Sequence, residues 1–194
     1  MLNSIATILA LTTALISGAW WLWQRRPNSW GRPILIFVSM GGTCRDPIAK
    51  AITDHLLDGR KPGIIVKAAG ILKGHSRGAS AAARAVVNER LGFDVLKNHR
   101  STKLSNLVAR RAKLILTMSI DNKKQILKAN PEFSSKVYTL KEFFGLCGEI
   151  KNPFVENDLL SVAAMSRYND CFDELEELLM APGNMEKLYD AVLA

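Results

Sequence analysis

Cysteine and histidine are scarce in this chain, three of each in 194 residues, and neither kind is grouped. That excludes a disulfide framework and a Cys/His metal site, and it suits a reducing compartment. His55, His75 and His99 are isolated and read as structural or surface residues. No stretch resembles a nucleic-acid-binding module, so nucleic acid is not expected as a partner despite a formal charge of +8. The positive balance instead favours anionic partners such as phosphorylated proteins or acidic membrane surfaces. No cofactor is expected.

Charge is missing altogether from Ile5 to Trp23, a nineteen-residue run diluted only by Thr, Ser and Gly. A helix crosses a bilayer in roughly 20 apolar residues, so this run reads as a membrane anchor. Trp20, Trp21, Trp23 and Trp30 cluster at or just beyond its end, as a ring belt at headgroup level would. No Lys or Arg precedes the run, whereas Arg25, Arg26 and Arg32 follow it, which places the C-terminal domain in the cytoplasm. A cleaved secretory signal competes with this reading, but a basic n-region is absent and bulky Trp stands where small residues would mark cleavage. A buried core helix is the third reading. The expected organisation is an anchor over 1–25, a linker over 26–32 with Pro27, Asn28, Ser29 and Gly31, and one domain over 33–194.

Within the domain, the segment I-L-I-F-V-S-M-G-G-T-C-R-D-P from Ile34 to Pro47 draws attention first. Ile34 to Val38 reads as a strand buried on both faces, running into a glycine-containing turn. Gly41 and Gly42 let successive backbone N–H groups converge, and Pro47 suits the first turn of a helix whose N-terminus faces the same point. Arg45 adds a planar fork of donors suited to phosphate. On these features alone, a tight strand-to-helix turn with a solvated arginine fits as well.

Downstream, Ile48 to Leu57 reads as a helix ended by Gly59 and Pro62, Ile64 to Ala69 as a second strand, and Gly78 to Leu91 as an alanine-rich helix. Lys113 to Met118 reads as a third strand, Asp121 to Ala129 as a helix, and Lys136 to Leu140 as a short fourth strand. Leu159 to Met180 is the longest helix, with Tyr168, Cys171, Phe172, Leu175 and Leu179 on one face, and a last helix ends near Leu193. The alternation implies a three-layer α/β domain: a four-stranded parallel sheet with helices on both faces, preceded by the transmembrane helix. Cys147 and Cys171, among apolar neighbours, are expected in the core. The basic group Lys97, Arg100, Lys103, Arg110, Arg111 and Lys113 reads as a solvated helix face.

V-S-M-G-G-T-C-R-D-P resembles the loop V-C-x-G-N-x-C-R-S-P of the low-molecular-weight protein-tyrosine phosphatases. V-K-A-A-G (Val66 to Gly70), G-F-D-V-L-K-N-H-R-S (Gly92 to Ser101), A-K-L-I-L-T-M (Ala112 to Met118) and V-Y-T-L-K-E-F (Val137 to Phe143) are similar to further segments of that family. The resemblance covers about residues 33 to 180. It implies that Met40, Gly41, Gly42, Thr43, Cys44 and Arg45 bind phosphate. The catalytic positions it implies are Ser39, Arg45 and Asn152.

Two of those three have lost the chemistry the family uses. Ser39 stands where the family's nucleophilic cysteine would, six residues before Arg45, and Asn152 of Asn152-Pro153-Phe154 stands where the family's acidic D-P-[FY] would. A thiol of pKa about 8.5 can be drawn below neutrality by converging N–H groups, whereas a hydroxyl starts far higher. No His or Lys in the motif takes its proton, so Ser39 is expected to stay protonated and to donate to a bound oxyanion. A missing general acid forfeits about 10²- to 10⁴-fold in rate. Asp46 replaces a family serine and reads either as a helix-dipole residue or as a charge that repels phosphate unless neutralised or turned to Arg45. The gap from Asn152 to Tyr168 is longer than the family's, which implies a remodelled rim. The expectation is a membrane-anchored pseudophosphatase that binds a phosphorylated or otherwise anionic partner. An active phosphatase with an atypical loop and a structural domain without anion binding are the alternatives.

Overall fold

The computed structural model describes residues 31–57, 63–72, 78–155 and 160–194. The apolar run with its tryptophans, His75, and the Gly59 to Pro62 helix stop lie outside the described residues. Among the described residues, no helix is long and apolar enough to cross a membrane.

The first strand, β1 (Ile34–Ser39), is buried along its whole length. It has no solvent face because it lies in the middle of the sheet. β2 (Ile65–Gly70) pairs with it in parallel on one side and β3 (Ala112–Thr117) on the other, with β4 (Val137–Thr139) beyond β3. Leu35 and Phe37 enter one hydrophobic cluster, and Ile34, Ile36 and Val38 enter the other, so the period of two in the strand divides one apolar run between two cores.

The larger core lies under α1 (Arg45–Leu57), α2 (Ala81–Leu91), α6 (Val162–Met180) and α7 (Asn184–Leu193). Ile48 and Ile52 of α1, Val86 and Val87 of α2, and Phe172 and Leu175 of α6 fill it. The smaller one is closed by Ala109 of α3 (Asn106–Arg111), Ile126 of α4 (Ile120–Ala129) and Phe133. Helices therefore cover both faces of a four-stranded parallel sheet, as the alternation implied.

Most differences from expectation sit at element ends, where caps rather than periodicity decide. Helix α1 begins at Arg45 rather than Ile48, because Asp46 and Pro47 are both suited to a first turn. Helix α2 begins at Ala81, where the Ser80 hydroxyl accepts the N–H of Ala83, and ends at Gly92 in the left-handed region. The end of the expected fourth strand becomes a short helix, α5 (Leu140–Phe143), since Thr139 and Glu142 form a reciprocal capping box. The bounds of helix α3 were not legible in the sequence, although a helix face was expected among the basic residues there; six residues are too few to show a period.

Two composition-based expectations fail. Cys171 is buried, but Cys147 is exposed, in a turn between Gly145 and Gly148 that both take positive φ. The basic residues do not share one helix face: Arg110 and Arg111 lie on α3, Lys113 on β3, and Lys97, Arg100 and Lys103 on the chain between α2 and α3.

Candidate active site

Strand β1 ends at Ser39 and α1 starts at Arg45, so the loop between them emerges at the carboxyl end of the central strand. Parallel α/β sheets place their ligands there. What shapes the loop is a set of hydrogen bonds to its carbonyls. Ser39 O accepts the N–H of Ile71 at 3.0 Å and Met40 O that of Leu72 at 3.0 Å. Gly41 O accepts from the Ser101 hydroxyl at 2.7 Å, and Gly42 O from His99 Nε2–H at 2.8 Å. Thr43 O accepts the N–H of Ser80 at 2.9 Å and Cys44 O that of Ile48 at 3.2 Å.

Six successive carbonyls are thus held by groups around the loop. In a trans peptide the C=O and the following N–H point opposite ways. Fixing these carbonyls outward turns the amides of residues 40 to 45 to the concave side, which is the geometry of an anion cradle. The N–H of Gly42 confirms the direction by meeting the Ser39 Oγ at 3.1 Å.

Close backbone approach makes this possible. A Cβ on Gly42 would stand 2.5 Å from Ser101 Oγ and 2.9 Å from Gly70 N, and Gly42 has φ +70°. A Cβ on Gly70 would stand 2.9 Å from the Gly41 carbonyl carbon. The loop lies directly on the end of β2 only because neither residue has a side chain. His99 carries out its part uncharged: burial lowers its pKa, although the bond to Gly42 O opposes this.

Arg45 is 8% exposed and spends one Nη1 donor on the carbonyl of Ile150 at 2.9 Å. The N–H of Ile150 in turn meets Met118 O at 3.0 Å, just past the end of β3. This pins the segment that carries Asn152. Asn152 itself is exposed, and its Oδ1 accepts the N–H of Phe154 at 3.4 Å. The segment that carries it runs on into residues 156–159, which fall outside the described residues.

Asp46 lies in the first turn of α1, as the helix-dipole reading has it, but it does not face solvent. It is fully buried, and its Oδ1 accepts a hydrogen bond of 2.5 Å from the Ser39 hydroxyl. Its Oδ2 has no hydrogen-bond partner among the described residues. Burial lifts its pKa from the usual 3.8 to about 7, against the pull of the Ser39 bond and the Arg45 charge. Only a His or Lys beside Ser39 enters the sequence reading; the structure adds the Asp46 carboxyl, seven residues on, which accepts the hydrogen bond of the Ser39 hydroxyl. A signal was present in the sequence, since this position holds a hydroxyl that supports the nucleophile in the family the loop resembles.

Below the cradle, Cys44 Sγ lies 3.0 Å from Tyr168 Oη, and Ser80 Oγ donates to that oxygen at 3.1 Å. Burial and the neighbouring Cys44 push the Tyr168 phenol up, and burial pushes the Cys171 thiol up to about 12. Both stay protonated, and Tyr168 supports the loop through Cys44 and Ser80. Of the sequence-derived residues, positions 39 to 45 lie together on the loop and the start of α1, whereas Asn152 is exposed on the segment that Arg45 holds at Ile150.

The low molecular weight phosphotyrosine protein phosphatase family matches residues 34–187. A protein-arginine-phosphatase of Geobacillus stearothermophilus is 33% identical over 146 residues, which cover 75% of this chain and 90% of that protein. The crystal structure of a low molecular weight protein tyrosine phosphatase from T. tengcongensis superposes with a TM-score of 0.69 at 27% identity, covering 81% of this chain and 98% of that one. A cysteine-to-serine variant of the YwlE arginine phosphatase with a phosphorylated active-site serine superposes with a TM-score of 0.68 at 29% identity, covering 80% and 94%.

Proposed function

The chain belongs to the low molecular weight phosphotyrosine protein phosphatase family, and from that membership we propose that it binds the phosphoryl group of a phosphorylated protein but turns it over poorly. The observation that carries this reading is a complete cradle around an altered reaction centre. The amides of residues 40 to 45, turned inward by the six outward-held carbonyls, and Arg45 supply the donors for a phosphoryl group's oxygens. Ser39 lacks the thiolate, and Asn152 has no proton to give a leaving group.

The relatives point to the side chains concerned, phosphoarginine and phosphotyrosine. Of these, phosphoarginine suits a site without a general acid better. A phosphoguanidinium already carries the proton its leaving group needs, so the guanidine departs neutral when the P–N bond breaks. A tyrosine must leave as phenolate. The anchor at Ile5 to Trp23, with the domain facing the cytoplasm, is part of the same reading and would confine the protein to partners near a membrane.

Hydrolysis of para-nitrophenyl phosphate and of a phosphoarginine peptide, with Arg45→Ala as control, tests the proposal. The expected result is no sustained turnover, together with a rise in thermal stability in millimolar phosphate or vanadate that Arg45→Ala abolishes. Sustained turnover that depends on Arg45 would overturn it. The hydrogen bond between Ser39 and Asp46 favours that second reading, an active phosphatase with an oxygen nucleophile. Unchanged stability in both anions would leave a structural domain.

A further inference from the structure

Asp46 is a buried carboxylate in the first turn of α1 with one oxygen on the Ser39 hydroxyl and the other unpartnered, beside a loop whose amides face its concave side. A first-turn position alone does not require burial, and burying a carboxylate is costly. Its position matches a different need. A serine becomes a nucleophile when a base within hydrogen-bond reach takes its proton, and the Ser39–Asp46 contact meets that requirement at 2.5 Å.

We infer that Ser39 is a phosphoryl acceptor: with Asp46 as general base, it takes the phosphoryl group of a phosphorylated protein side chain once and retains it as phosphoserine. This rests on the proposal that the cradle binds a phosphoryl group.

The step balances without a further reactant. As the Ser39 Oγ–P bond forms, the hydroxyl proton passes to Asp46 Oδ1. For a phosphoarginine donor the P–N bond breaks with its electron pair going to nitrogen, and the neutral guanidine then takes a proton from water. For a phosphotyrosine donor the P–O bond breaks and the phenolate does the same. Asp46 ends neutral beside the new phosphate, which removes the like-charge repulsion an ionised carboxylate would impose. Its pKa near 7 lets it hold either state at neutral pH.

The reaction stops there for two reasons. A phosphoserine ester has a much poorer leaving group than a cysteinyl phosphate, because a hydroxyl is far less acidic than a thiol. Hydrolysis also needs a base to activate water on the side where the first leaving group departed. The residue the family's pattern assigns to that side is Asn152, which cannot accept a proton. A serine in a site of this fold can carry the group, as the phosphorylated serine of the YwlE variant demonstrates for that protein.

The test incubates the full chain with a phosphoarginine peptide and, separately, with para-nitrophenyl phosphate, and follows intact mass and released product. The expected result is a gain of one phosphoryl group per chain, mapped to Ser39, with one equivalent of product and no more. Ser39→Ala gains none. Asp46→Asn slows labelling by about 10²-fold or more while keeping or increasing the stabilisation by vanadate, because it removes the base and the repelling charge together. Labelling by only one of the two donors would assign the side chain. Stabilisation by vanadate without any mass gain would overturn the inference and leave anion binding standing. Neither stabilisation nor mass gain would overturn both. Continuous product release would overturn retention, and wild-type labelling rates in Asp46→Asn would overturn the role of Asp46.

Discussion

Replacing Asp46 by Asn should make the protein more stable at neutral pH and flatten its dependence on pH. The carboxyl is fully buried, one oxygen is unpartnered, and its pKa rises from 3.8 to about 7. Between those values the folded state holds a proton that the unfolded state has released, so stability falls as pH rises through this window. Above about pH 7 both states are ionised and the loss is complete. At about 1.4 kcal/mol per pH unit the group costs the fold roughly 4 kcal/mol by neutrality, an order-of-magnitude figure. In a domain of this size that corresponds to roughly 10 °C in melting temperature. Asn keeps the shape, can still bond the Ser39 oxygen, and carries no charge to desolvate. Denaturant titrations of both proteins from pH 4.5 to 8 give the difference directly. The gap should be small at the acid end, widen towards pH 7 and then stay constant. Parallel curves would refute the argument, because they would mean that Asp46 is ionised throughout or that water reaches it.

Gly42→Ala should destabilise the protein by about 2–4 kcal/mol, combining a positive φ with a Cβ 2.5 Å from Ser101 Oγ, and calorimetry would show it. Ser101→Ala leaves Gly41 O without its donor and should cost about 1 kcal/mol in stability while weakening phosphate binding, which titration calorimetry can measure. Ser39→Cys with Asn152→Asp should restore aryl phosphate turnover only weakly, because the Asp46 carboxylate beside position 39 repels both the thiolate and the phosphoryl group. Adding Asp46→Ser should raise the rate a further ten-fold or more, and equal rates in the double and triple variants would count against that coupling.

The strand run Ile34 to Val38, the helix periods and the loop glycines carried most of the fold, since burial on both faces and helical spacing leave direct marks in one dimension. The loop itself was legible in its glycines and in Arg45, but its supports were not. Ser101, His99, Ser80 and the residues after β2 lie 30 to 60 positions from the carbonyls they hold or belong to a different strand, and nothing in their local sequence announces the contact. Asp46 was misread for the opposite reason. It is close in sequence, and a carboxylate in a first helical turn has an ordinary explanation that does not require looking back seven residues to Ser39. Cys147 shows the limit of composition, because apolar neighbours do not bury a residue that sits between two glycines in a turn.

The six outward-held carbonyls also separate shape from reactivity. The concave surface is specified by β2, by Ser80 and by the segment from His99 to Ser101, whereas the identity of the reacting atoms rests on positions 39, 46 and 152. Under the proposed function, an incoming anion would meet amides already oriented, with no loop ordering to wait for. The same division lets one kind of chemistry be exchanged for another by substitutions that leave the receptor intact. A lineage can thus pass from catalyst to receiver without an intermediate that has lost its ligand.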